Sequence, residues 1–268
     1  MSGHRCIFCN QIPEAWSEEH ISPEWLLEYL GITKQTPLRQ GYSGDKELSR
    51  EFGAYGFVEG RVCKSCNTGW MSRLQNSVRP ILPNLLDGSK NLAELSPAES
   101  AIVAKWATKT CYVLANASLA GKPVPAEHLQ ELNKDNGTIP QRVGVFALQA
   151  VYDAPMSFLQ IQFWPQIIAQ GQSAVDPYTL DTNAYKIVIQ YKHLILMVAH
   201  WPHQPGQLTL AAGWHVPIWP PKLIWPSYVK QRDVPPLSSL PIMRSFAEAL
   251  AVWAMPETAG NRESDATT

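Results

Sequence analysis

Cys6-Ile7-Phe8-Cys9, Glu18-Glu19-His20-Ile21-Ser22-Pro23 and Cys63-Lys64-Ser65-Cys66-Asn67-Thr68-Gly69-Trp70 are the stretches on which the reading of this chain turns. Two Cys-x-x-Cys pairs enclose an acid and a histidine, and the second pair runs directly into an asparagine. Four cysteines in two knuckles are the expected ligand set of one tetrahedral structural zinc. The chain holds 5 cysteines in all, so the remaining one, Cys111, has no partner and a disulfide framework is not expected. A four-thiolate site is closed and chemically inert. Its expected use is to pin together two distant segments, one carrying Glu19 and His20 and the other Asn67. An acid, a histidine and an amide are the residue types that a metal-assisted phosphodiester cleaver needs.

Composition sets the frame. At 268 residues, with 45% hydrophobic and 17% charged residues, the chain can bury a full core. No N-terminal basic-then-apolar signal segment is seen, and no apolar run reaches the ~18–20 residues that span a bilayer. The longest, Ile187 to Ala199, is interrupted by Gln190, Lys192 and His193. No membrane association is therefore expected, and the lone Cys111 points to a reducing compartment, with the cytoplasm as the expected location. The formal net charge of −1 provides no global electrostatic footprint for nucleic acid. That counts against a stand-alone binder more than against an enzyme using a metal and a local patch.

Along the chain, residues 1–90 read as a zinc module, 91–256 as a second, α+β domain of unknown role, and 257–268 as a disordered polar tail. Pro23 to Leu30 predicts a short helix stopped by Gly31, and a second helix is expected from Thr68 to Val78 before Pro80. The polar stretch from Thr33 to Tyr55 reads as an insertion between the two halves of the module. Ser96-Pro97-Ala98-Glu99 has capping-box spacing and opens a longer helix. A short helix over 125–134 follows, ended by Asn136-Gly137. Strands are expected at Val143–Tyr152, Ser157–Trp164 and Tyr185–Ala199, the last divisible into two. Leu240 to Met255 reads as a final amphipathic helix. Helix, then sheet, then helix predicts an α+β fold with an antiparallel sheet.

The chemistry concentrates in the first 90 residues. A neutral histidine can take the proton from an attacking water while a neighbouring carboxylate reaches a divalent ion. Glu19 beside His20 supplies that pair, and Asn67, adjacent to Cys66, stands where a second ligand should be. The runs Cys6-x-x-Cys9, Glu19-His20-Ile21-x-Pro23 and Cys63-x-x-Cys66-Asn67-x-Gly69-Trp70 together resemble the HNH endonuclease family, whose core is a ββα-metal finger. The resemblance covers roughly residues 4–80. It implies an HNH-like module in which His20 is the general base and Glu19 a ligand of a catalytic magnesium or manganese ion, in the place where the family usually has aspartate. It makes Asn67 the second ligand, at the family's last His-or-Asn position, and the four cysteines a structural zinc set. It implies hydrolysis of phosphodiester bonds in DNA. The family's middle asparagine has no counterpart in Phe57 to Val62, so Glu59 or a backbone carbonyl is left to orient His20.

Arg61, Lys64, Arg73 and Arg79 flank the second knuckle and its helix, and read either as a phosphate groove or as solvated surface charges. Trp16, Trp25 and Trp70 are expected to pack the zinc module. A second metal site among His193, His200, His203 and His215 is disfavoured, and Trp201, Trp214, Trp219 and Trp225 read as packing residues. A competing reading remains open: a catalytically inactive zinc module that binds nucleic acid or a protein.

Overall fold

The protein is described by a computed structural model over residues 4–42, 48–118, 124–134, 137–149, 155–161, 167–168, 184–200, 207–210, 216–219 and 250–253. The N-terminal part runs β1 (Trp16–His20), α1 (Glu24–Tyr29), β2 (Pro37–Tyr42), β3 (Leu48–Gly53), β4 (Val58–Cys63), α2 (Lys64–Cys66), α3 (Ser72–Val78) and α4 (Leu82–Leu86). The rest runs α5 (Pro97–Ala117), α6 (Ala126–Asn133), β5 (Val143–Gln149), β6 (Met156–Ile161), β7 (Ile167–Ile168), β8 (Tyr185–Tyr191), β9 (Leu194–His200), β10 (Gln207–Leu210), β11 (Val216–Trp219) and β12 (Leu250–Trp253). This is a mixed helix-and-sheet protein in which almost every strand pair is antiparallel, with β12–β7 as a parallel pair.

The main sheet has the order β11-β5-β9-β8-β6. Every residue of β5, β8 and β9 is buried, which is why these strands read as nearly continuous apolar runs instead of alternating ones. Against this sheet lies α5, opened by the capping box foreseen at Ser96 and Glu99. Its residues from Val103 to Ala115 are buried apart from Lys105, so the helix is enclosed on nearly all sides. Trp106 of α5 meets Tyr191 of β8 with ring centroids 5.9 Å apart. Removing one such large apolar side chain from water is worth about 1.5–3 kcal/mol.

The same helix also packs on α3 and β4. One buried cluster runs from Phe8, Leu26, Leu27, Met71 and Val78 through Trp106 to Val145, Leu196 and Ile218. Packing therefore continues across residue 90. This continuity lets a side chain of α5 reach the β1–β4 pair.

Several sequence expectations change. The helix expected from Thr68 begins at Lys64. It passes through a π-type turn at Asn67–Met71, where Gly69 has non-helical angles (φ −87, ψ −108), and resumes as α3. The Thr33–Tyr55 insertion contains a hairpin, β2–β3, whose Leu38 and Phe52 are register partners packed on the core. The helix expected over Leu240–Met255 is corrected where it is described: Leu250–Trp253 is a strand, hydrogen-bonded to β10 and β7. A four-residue apolar run has no period of its own, and pairing decides it. The 257–268 tail lies outside the described residues. Among the described residues, no helix is long and apolar enough to cross a membrane.

Candidate metal centre and adjoining cleft

Strands β1 and β4 are antiparallel, with Trp16 opposite Cys63, Glu19 opposite Glu59 and His20 opposite Val58. Cys63 closes β4 and caps α2, its sulfur accepting from the Cys66 N–H at 3.4 Å. The first knuckle turns back on itself through Asn10 (φ 57) and is tied to β4 by the Ile7 N–H donating to the Arg61 carbonyl. Phe8 is fully buried beside Trp70, ring centroids 5.6 Å apart.

These turns bring the four sulfurs together, all within 4.8 Å of one another. Cys6 and Cys66 are 3.9 Å apart and Cys9 and Cys63 are 3.7 Å apart. Zinc–sulfur bonds of ~2.3 Å in a tetrahedron place sulfurs ~3.8 Å from each other, so these two pairs already stand at the zinc spacing and the four-sulfur group could hold the ion. The thiols also strain against one another as acids. The Cys66 hydrogen bond lowers the Cys6 thiol, and the same contact, with burial, raises Cys66. A cation at the centre relieves this conflict by stabilising all four thiolates. Asn133 of α6 lies 3.5 Å from the Cys66 sulfur. There the Cys66 thiol donates to Oδ1, whereas a zinc-bound thiolate only accepts and would take its hydrogen bond from the Asn133 amide N–H₂.

Beside the cysteines lies a polar cleft of about 330 Å³. Glu18, Glu19 and His20 of β1 line it, with Pro23, Glu24 and Trp25 at the start of α1 and Asn67 and Gln75 from the helix after Cys66. A bulge between Ser17 and Glu19, together with the end of β1 at His20, brings three consecutive side chains to one opening. Asn67 is fixed by its Nδ2, which donates to Ser17 Oγ at 2.9 Å and to the Glu18 carbonyl at 3.0 Å. Both amide hydrogens are thereby used, which leaves Oδ1 as the acceptor. His20 is half-buried, and its ring has no hydrogen-bond partner among the described residues. The structure thus brings Glu19, His20 and Asn67 to one cleft.

Glu19 is only 2% exposed and forms an ion pair with fully buried Lys109 of α5, Nζ to Oε1 2.6 Å. Gln75 Nε2 lies 3.4 Å from the same oxygen. Sequence reasoning missed Lys109. The available signal was helical spacing: Trp106, Tyr112 and Val113 stand three or four residues away, which places Lys109 on the apolar stripe. Glu59, directly across from Glu19, is buried too and takes a two-pronged contact from Arg61, at 2.9 and 3.0 Å. Two facing carboxylates would repel; each has its own cation. Glu59 is therefore engaged with Arg61 and makes no hydrogen bond to His20.

The other expected residues are spread out. Arg79 stacks over Trp25, 5.6 Å from the ring centroid, at the cleft edge. Lys64 and Arg73 are exposed on α2 and α3. Trp70 is buried, but Trp16 is 43% exposed and does not pack the module as expected, because it sits at the outer start of β1. Of the histidines, His193 and His200 belong to no metal cluster; the four cysteines are the metal-ligating group found among the described residues. Comparison with protein-family models, with curated proteins and with solved structures finds no match. Fold and site together define an α+β protein with a four-cysteine group able to hold zinc and an acidic cleft beside it.

Breaking one half of a buried ion pair leaves an uncompensated charge, at a cost of about 3–5 kcal/mol. Lys109→Met is therefore expected to lower the melting temperature markedly. Removing both charges, in Glu19→Gln with Lys109→Met, should recover most of the loss. Thermal denaturation of the single and double variants checks this; a double variant no more stable than the single one would contradict it.

Proposed function

We propose that the chain is a divalent-metal-dependent endonuclease of the HNH type that hydrolyses phosphodiester bonds in DNA. The observation that carries this reading is the convergence of Glu19, His20 and Asn67 on one open cleft, directly beside the four-cysteine group. Structural zinc held by Cys6, Cys9, Cys63 and Cys66 fixes the start of the helix that bears Asn67 relative to the strand that bears Glu19 and His20.

In this reading the cleft residues fit a hard divalent ion such as magnesium or manganese. The donors are oxygens: a Glu19 carboxylate oxygen and the oriented Asn67 Oδ1 would hold it. Three carboxylates, Glu18, Glu19 and Glu24, against one buried ammonium give the cleft a negative balance that attracts a divalent cation and repels a bare phosphate. When bound, the ion neutralises the scissile phosphate and stabilises the leaving oxygen. His20 accepts the proton of the attacking water at its free ring nitrogen. Its half-burial leaves it open to solvent on the cleft side. Arg79, held against Trp25, is the basic residue best placed to meet a phosphate flanking the one being cut.

The alternative, a catalytically inactive zinc module for nucleic-acid or protein interaction, is favoured by one observation: Lys109 already compensates Glu19. Nicking of supercoiled plasmid with magnesium or manganese separates the two. The enzyme reading expects metal-dependent conversion to open circle that Glu19→Gln abolishes. No cutting by folded, zinc-loaded protein with either ion would leave the interaction module as the better account.

A further inference from the structure

We propose that Lys109 is a positioning residue of the cleft: a fixed buried cation on α5 that holds one oxygen of Glu19 and thereby sets how strongly the cleft binds a divalent cation. This rests on the reading of Glu19 as a ligand of such an ion. Lys109 does not line the cleft, so it acts through Glu19. Its Nζ is fully buried, and Glu19 Oε1, 2.6 Å away, is its polar partner. Gln75 approaches that same oxygen, so both protein contacts fall on Oε1 and Oε2 is left to the cleft. A pair serving stability alone would not need its carboxylate to line an opening. Glu59, the neighbouring buried acid, is fully engaged by both prongs of Arg61, whereas Glu19 is held from one side only.

Two consequences follow for an ion entering the cleft. It meets one oxygen of Glu19 instead of two, and it feels the repulsion of a unit charge a few ångströms behind that oxygen. Even under water-like screening, a unit and a double positive charge at such a distance repel enough to change affinity roughly tenfold. Lys109 thus keeps the cleft's hold on the ion weak, so that occupancy is completed by a ligand bringing its own negative charge. A phosphodiester does so.

The test is a titration of the full-length, zinc-loaded protein with Mn²⁺, read from the electron paramagnetic resonance signal of the free ion. Lys109→Met is expected to bind Mn²⁺ about tenfold more tightly than the parent, or more. Lys109→Arg, which retains the charge, should stay near the parent. The gain should vanish when Glu19→Gln is added to Lys109→Met. Lys109→Gln, which keeps a hydrogen bond without the charge, is read the same way and covers the case in which the methionine variant does not fold. Unchanged or weaker binding in the neutral variants, a gain that persists without the Glu19 carboxylate, or no binding by any variant would overturn the proposal. If Mn²⁺ binds as expected and plasmid is nonetheless left uncut, the nuclease reading fails while the role of Lys109 stands.

Discussion

Cys63→Ser is expected to lose zinc and to open the N-terminal part of the protein while the main sheet and α5 remain folded. Cys63 is the joint of the site: it ends β4, caps α2 through the Cys66 N–H, and donates its own N–H to the Cys6 sulfur at 3.4 Å. Apart from the contacts of the Cys6 and Cys9 sulfurs with Cys63, the first knuckle is held to β4 by the Ile7–Arg61 backbone bond and by the burial of Phe8. Structural zinc supplies on the order of 10–16 kcal/mol to small fingers. Here the benefit is smaller, because Leu26, Leu27, Met71 and Val78 are also buried against the rest of the protein. It is still large against the ~5–15 kcal/mol by which a whole domain is stable. Limited proteolysis should therefore show new cuts before residue 90, with α5 and the β8–β9 hairpin intact. Zinc content, measured on the same sample, should fall from one per chain to none. An unchanged cleavage pattern in the zinc-free variant would show that the metal does not organise this region.

What could be read from the sequence and what could not differ for physical reasons. A zinc tetrahedron needs two sulfurs from each tight turn, and that need is written locally as Cys-x-x-Cys. The gathering of Cys6, Cys9, Cys63 and Cys66 was therefore legible across more than fifty residues. The Ser96–Glu99 capping box is equally local, and α5 starts there. The Lys109–Glu19 pair is not local. Its partners stand 90 positions apart, and nothing in either neighbourhood names the other. Only the misfit of a lysine on an apolar helical stripe signals that it needs a buried anion. The strand at Leu250–Trp253 was hidden for the opposite reason. Its four residues carry no period, and their state is decided by β10 and β7, more than thirty residues away. The middle position of the expected motif shows a third kind of limit. Glu59 was one of two candidates for its role, beside a backbone carbonyl, but Arg61, two residues on in the same strand, takes both its oxygens. Sequence could nominate the residue, and pairing decided its use.

His20→Ala is expected to reduce metal-dependent plasmid nicking by about 10²–10⁴-fold, the usual contribution of a general base. The expectation rests on placement. His20 ends β1, lines the cleft with Glu19 and Asn67, and is the one imidazole there among the described residues. Its ring makes no hydrogen bond among the described residues, so nothing in the fold depends on it as Glu19 depends on Lys109. The substitution should thus leave zinc content and melting temperature near those of the parent, which separates lost chemistry from lost structure. It should also leave Mn²⁺ affinity near the parental value, because the histidine faces the water and not the ion in this reading. Glu19→Gln gives the complementary result, losing both the ion and the cutting. Lys109 supplies the contrast: its neutral variants change ion affinity without touching the base. If His20→Ala cuts as fast as the parent with its fold and zinc intact, the base assignment is wrong. If instead it loses Mn²⁺ as Glu19→Gln does, His20 is a ligand of the ion and another group must take the proton.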